Sequence, residues 1–173
     1  MAVGRQMHNQ EVATLIGNSS DSDQQIFIRP KVLHHLFKYR QLRSWSKEAG
    51  GQLFGSVTDS QISVSHATGP YPRDQRGRHY YRSDEKAAQQ AISQCRQKGL
   101  LYIGEWHSHA EDAPSPSGAD KDAMQRLLKA SLLNLDLAVL LIVGRRTESL
   151  TGLALLTYKI NKSWRWSLKR LST

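Results

Sequence analysis

The sequence predicts a mixed α/β domain, a curved and largely antiparallel sheet flanked by helices. Three observations predict it. Short apolar runs suited to strands outnumber the stretches of helical period. The two kinds are mixed along the chain rather than strictly alternating. Two of the runs, residues 100–106 and 135–143, are apolar almost throughout, as buried strands are.

Taken in order, residues 1–24 are polar and end in the cluster Asn18-Ser19-Ser20-Asp21-Ser22-Asp23, which predicts a flexible or loosely packed extension. Residues 25–173 are then one folded domain. Ile26, Phe27 and Ile28 make a short strand, and Pro30 suits the first turn of a helix. Val32, Leu33, Leu36, Phe37 and Tyr39 continue that helix at helical period to about Ser44. The run from Glu48 to Val57 is a strand reached through Gly50 and Gly51; with Gln61 to Ala67 and the turn Thr58-Asp59-Ser60 it makes a hairpin. Residues 69–82 hold two prolines and four arginines and predict a loop with an extended end. Ser83 caps a helix with Asp84 and Glu85 in its first turn, and Gly99 stops it. The apolar strand 100–106 follows, then a helix over 117–131 with Met124, Leu127 and Leu128 facing inward. Strands over 135–143, 150–160 and 164–168 complete the sheet. In the last of these, one of Trp164 and Trp166 is expected to pack inward and the other to shield the sheet.

A chain of 173 residues supports one domain with a real core. No apolar run approaches the ~20 residues that span a bilayer, and the first residues lack the layout of a signal peptide. Cys95 is the only cysteine, which excludes an internal disulfide and fits a reducing compartment, so the cytoplasm is expected. Cys95 lies on the apolar side of its helix and reads as a buried small hydrophobe. The net charge of +9 suits an acidic partner, yet no nucleic-acid-binding signature accompanies it. A nucleic-acid ligand is therefore not expected, nor a membrane.

The chemistry gathers around His107-Ser108-His109, with Ser117 and Asp120 beyond. Residues two apart in a strand share a face, so both imidazoles can aim at one ion. Ser117 and Asp120, three apart at a helix start, share a face as well. Two imidazoles and one carboxylate, with nothing to close a fourth position, are the ligand set of a catalytic zinc. Its open position holds water, whose pKa the metal lowers to ~7. Such a water needs a group to take its proton and hand it to a leaving amine, and Glu48, followed by the glycine pair, is suited to this. His34, His35, His66 and His79 have no second ligand set around them and read as structural or surface residues.

Glu48 with Gly50-Gly51-Gln52-Leu53-Phe54-Gly55, then His107-x-His109 and Ser117-x-x-Asp120, resembles the JAMM motif of the JAB/MPN metalloproteases. The resemblance runs from about Ile26 to Ile160, and all five functional positions match in type and order. It implies a JAB1/MPN-like, cytidine-deaminase-like fold. It implies zinc bound by His107, His109 and Asp120, with Glu48 as general base and later acid, and Ser117 as hydrogen-bond donor to the oxyanion. It implies cleavage of a peptide or isopeptide bond after the C-terminal tail of ubiquitin or a ubiquitin-like protein.

The stretch Tyr71-Pro72-Arg73-Asp74 through Tyr80-Tyr81-Arg82 is similar to the JAB-family deconjugating proteases of bacterial CBASS anti-phage operons. By that resemblance the substrate is a CD-NTase nucleotidyltransferase joined through its own C-terminus, and the operon partner is an E1/E2-like conjugating enzyme. Two other functions fit the residues less well: trimming of a sulfur-carrier ubiquitin-like protein, and a non-enzymatic basic accessory that binds nucleic acid. The chain has no long insertion after Asp120, where dedicated deubiquitinases of the family often carry a substrate-gripping segment, so ubiquitin itself is not the expected substrate.

Overall fold

The computed structural model describes residues 13–130, 136–146 and 148–171. Along the chain run β1 (Leu15–Ser19), β2 (Ser22–Ile28), α1 (Pro30–Phe37), β3 (Gly50–Val57) and β4 (Gln61–Ala67). The short strands β5 (Gln75–Arg76) and β6 (Tyr81–Arg82) follow, then α2 (Glu85–Gln97), β7 (Leu101–Ser108) and α3 (Gly118–Lys129). The chain ends in β8 (Ala138–Val143), a 3₁₀ turn (Leu150–Gly152), β9 (Leu153–Lys159) and β10 (Lys162–Arg170). The sheet is curved enough to close, in the order β1-β10-β9-β8-β7-β3-β4-β2, and only β2–β4 and β7–β8 are parallel pairs. The small β5–β6 ladder stands apart. Among the described residues no helix is long and apolar enough to cross a membrane.

Strand alternation divides the apolar residues into two cores. Leu53, Ile103, Leu141 and Leu155 face inward, where Val32, Leu33 and Leu36 of α1 join them. Phe54, Tyr102, Leu140 and Leu156 face outward and are covered by Ala91 and Cys95 of α2 and Met124 of α3. Cys95 is thus a buried packing residue.

Several boundaries differ from expectation, each for a local reason. The expected loose extension over 1–24 lies outside the described residues only as far as residue 12. Leu15 and Ile16 are buried in β1, which pairs with both β2 and β10, so the boundary between 24 and 25 falls inside β2. The polar cluster read as a linker is the turn of that hairpin, where the Asp21 N–H donates to Ser19 Oγ at 3.2 Å. Helix α1 stops at Phe37, well before Ser44. Side chains take the carbonyls that follow: Arg78 Nη1 donates to those of Arg43 and Ser44, and Gln41 Nε2 to that of Ser46. Asp84, rather than Ser83, caps α2, its carboxylate accepting from the N–H groups of Lys86 and Ala87. Residues 150–152 are a 3₁₀ turn before β9 starts. Trp164 and Trp166 lie two apart and so share a face: Trp166 is buried in the inner core and Trp164 half-buried.

One irregularity matters more than the rest. Ile103 and Trp106 both point into the inner core, although three residues apart they belong on opposite faces of a regular strand. A bulge between the Leu53–Gly104 and Phe54–Tyr102 pairs changes the phase. Gly104 carries it with φ of 155°, and a Cβ there would collide with the Val139 carbonyl. Beyond the bulge Trp106 turns inward, donating its indole N–H to the Thr68 carbonyl at 2.8 Å, and His107 turns outward. We expect Gly104→Ala to lose about 2–4 kcal/mol through backbone strain and the collision together. Urea unfolding of the variant beside the parent measures this; equal midpoints would refute it.

Candidate metal centre

Three segments bring the sequence-selected residues together. His107 sits near the end of β7 and His109 just past it, where its N–H donates to the Val143 carbonyl of β8 at 2.9 Å. Asp120 is in the first turn of α3. Glu48 lies two residues before β3, and the neighbouring backbone is tied to β7: the Ala49 N–H donates to Ser108 Oγ, and the Ser108 N–H to the Ala49 carbonyl, each at 2.8 Å. One donor atom from each of Glu48, His107, His109 and Asp120 can be chosen so that all lie within 4.8 Å of one another.

The start of α3 is built by a capping box. Ser117 Oγ accepts from the Asp120 N–H at 3.1 Å, and Asp120 Oδ2 accepts from the Ser117 N–H at 2.7 Å. The Ser117 hydroxyl also donates to Oδ2 at 2.7 Å. His107 Nδ1 lies 2.8 Å from Asp120 Oδ1, and His109 Nε2 lies 3.2 Å from Oδ2. Burial alone would raise the Asp120 pKa. The hydrogen bonds from His107 and His109 outweigh it and hold the carboxyl well below the usual range. Burial likewise works against charge on His109, but the Asp120 hydrogen bond and the Glu48 and Glu111 carboxylates raise its pKa overall. Glu48 stands one step back, Oε1 at 3.8 Å from His109 Nε2, and burial pushes its carboxyl up.

This donor set fits a small, borderline-soft cation. A tetrahedral ion ligated at ~2.0–2.1 Å requires donor atoms roughly 3.3 Å apart. The 3.2 Å between His109 Nε2 and Asp120 Oδ2 meets that. His107 Nδ1 faces the other carboxylate oxygen, Oδ1, at 2.8 Å, so a small turn of the carboxylate is needed to bring one oxygen and both imidazoles around a single ion. Glu48 is the outermost of the four, its Oε1 3.8 Å from His109 Nε2, and it stands close enough to act on whatever the ion holds.

The loop over 69–82 shapes the site, a role that composition did not reveal. The Glu48 N–H donates to the Gly77 carbonyl and Arg76 Nε donates to the Glu48 carbonyl, both at 2.7 Å. Asp74 pins the loop itself: Oδ2 accepts from the Tyr71 N–H at 2.6 Å and from the Tyr81 hydroxyl at 2.9 Å, and Oδ1 from the Asp84 N–H at 2.7 Å. The Tyr81 ring lies 5.6 Å from that of His107, and a Cβ on Gly50 would strike both rings. Behind His107, Glu105 accepts from the Tyr102 hydroxyl and lies 3.5 Å from Gln52 Nε2. In the sequence, two prolines marked a loop here, and nothing in the spacing linked it to Glu48. His34, His35, His66 and His79 join no metal-ligating group among the described residues; His35 instead bonds the Gly69 carbonyl at 2.7 Å. Trp106 packs in the inner core rather than lining the cleft. That cleft, of about 370 Å³, runs past Glu48, His109, Ser117 and Asp120, and Gln41 and Tyr80 also line it.

Residues 30–155 match the family model of prokaryotic homologs of the JAB domain. A CD-NTase/cGAS isopeptidase of Escherichia coli is 31% identical over 129 residues, covering 73% of this chain and 80% of the relative. A protein of the same name from Vibrio cholerae is 31% identical over 131 residues, with the same coverage of 73% and 80%. A third, from Pseudomonas aeruginosa, is 39% identical over 84 residues, 46% of this chain and 52% of the relative. The solution structure of protein DSY2949 from Desulfitobacterium hafniense superposes with a TM-score of 0.54 at 21% identity, covering 80% of this chain and 87% of that one. That last likeness concerns the fold alone.

Proposed function

Because the chain belongs to the family of prokaryotic homologs of the JAB domain, we propose that it is a zinc-dependent isopeptidase that releases a CD-NTase from conjugation through its C-terminus. The single observation that carries this reading is the convergence of Glu48, His107, His109 and Asp120 at one end of the barrel, in a chain whose relatives bear the name isopeptidase. The setting is CBASS anti-phage defence in the cytoplasm, with an E1/E2-like enzyme making the bond that this protein cuts.

His107, His109 and Asp120 hold the zinc, which supplies the Lewis acidity that hydrolysis of an amide needs. The chain's own groups do the rest. Glu48 takes a proton from the attacking water as the water oxygen bonds to the scissile carbonyl carbon. As the C–N bond breaks it gives that proton to the departing amine. A carboxyl whose pKa is raised by burial suits both halves of the task. Ser117 is held at the cleft by its cap; turning its hydroxyl from Asp120 Oδ2 toward the cleft presents a donor to the developing oxyanion.

The test uses a CD-NTase fused through its C-terminus to a carrier protein. We expect cleavage after the last CD-NTase residue, loss of cleavage on chelation, and recovery with zinc in parallel with zinc content by elemental analysis. Undiminished cleavage by metal-stripped protein, or an intact fusion with loaded protein, would overturn the proposal.

A further inference from the structure

Beside the cleft lies a surface that the reaction itself does not use. Leu42, Trp45 and Tyr80 are the most exposed large apolar side chains among the described residues, at 58%, 72% and 59%. Single exposed apolar residues need no explanation, but three carried on two adjoining loops do. The two loops are bonded to each other. Gln41 Nε2 donates to the Arg78 carbonyl at 2.8 Å, and Arg78 Nη1 to the carbonyls of Arg43 at 3.1 Å and Ser44 at 2.5 Å. The Gly77 N–H closes the second loop onto the Tyr80 carbonyl at 2.9 Å.

The charged side chains of residues 41–47 and 77–80, Arg43, Lys47 and Arg78, are all cationic. The Arg43 guanidinium lies 5.3 Å from the centre of the Trp45 ring, and neither Arg43 nor Lys47 pairs with a carboxylate among the described residues. Trp, Tyr and Arg are the residue types that carry most binding energy at protein interfaces. The surface is also continuous with the reaction site, since Gln41, Arg78 and Tyr80 line the same cleft as Glu48 and His109. Where the two meet, Gln41 is 1% exposed, yet its Oε1 has no hydrogen-bond partner among the described residues. A buried acceptor of this kind is costly unless an incoming donor satisfies it.

We propose that the platform formed by the 41–47 loop and the 77–80 loop docks an acidic polypeptide segment with apolar side chains, contributed by the substrate next to its scissile bond. A polypeptide is favoured over nucleic acid because the platform runs into a peptidase cleft. The proposal rests on the isopeptidase reading for its substrate but not for its measurement.

The test measures binding without cleavage, on the full chain carrying Glu48→Gln, with fluorescein-labelled synthetic peptides. One peptide mixes Glu with Leu and Phe. A second replaces Glu with Lys, a third replaces Leu and Phe with Ser, and an oligothymidylate stands for nucleic acid. The Glu/Leu/Phe peptide is expected to bind, and Trp45→Ala and Arg43→Glu each to weaken it about tenfold. Trp45 is solvent-exposed, so its removal leaves the fold intact, as an unchanged melting temperature verifies. In cleavage assays on the fusion, Trp45→Ala is expected to raise KM far more than it lowers kcat. The platform proposal is overturned if that peptide does not bind, if Trp45→Ala leaves its affinity unchanged, or if the Lys peptide or the oligothymidylate binds better. A wild-type protein that binds the peptide but cleaves no fusion refutes the isopeptidase reading and leaves the platform standing.

Discussion

Glu48→Gln is expected to lower the cleavage rate by about 10²–10⁴, the range that positioned proton transfer contributes. The substitution keeps the size of the side chain and its capacity to accept hydrogen bonds, but it cannot cycle a proton. Its backbone anchors, the Gly77 carbonyl and the Arg76 guanidinium, are untouched. Zinc content and melting temperature should therefore match the parent. A rate within a factor of about ten of the parent would remove Glu48 from the reaction, because loss of a general acid–base costs more than that. Loss of zinc in this variant would instead make Glu48 a ligand.

Asp120→Ala should be more damaging, because one carboxylate does two things. It faces His107 and His109 at 2.8 and 3.2 Å, and by accepting from the Ser117 N–H and hydroxyl it closes the capping box of α3. Without it two imidazoles remain to hold the ion, so stoichiometric zinc and detectable cleavage should both be lost. The freed cap donors should also cost the metal-free protein about 1–2 kcal/mol. Elemental analysis and urea unfolding of the variant separate the two effects. Zinc retained at the parental stoichiometry would show that Asp120 is a partner of the histidines rather than a ligand.

The elements with strong local signals were legible in the sequence. The hairpin of β3 and β4, the helix ended by Gly99 and the apolar strands β7 and β8 follow from period, turn residues and caps, which act within a few residues. The spacing of His107 and His109 placed two rings on one face, and Ser117 with Asp120 marked a helix start. The polar cluster before Gln25 misled in the other direction. Ser19 to Ser22 is a tight turn between two strands, and composition alone does not separate a turn from a linker.

What only the tertiary structure decided is which face of β7 carries His107 and what holds Glu48 beside it. By strict alternation, Ile103 and His107 share a face, and the inward packing of Ile103 would have buried His107 in the barrel. The bulge at Gly104 reverses the phase where β7 pairs with β3 on one side and lies close against Val139 of β8 on the other. Glu48 is fixed by the Arg76 side chain and the Gly77 carbonyl, nearly thirty residues later in the chain, and both bonds end on backbone groups of Glu48, which no local spacing links to that loop. The sequence determined the kinds of group available for chemistry, because those depend on residue identity and short spacing. Their convergence came from pairings between distant strands and loops, which no local pattern encodes.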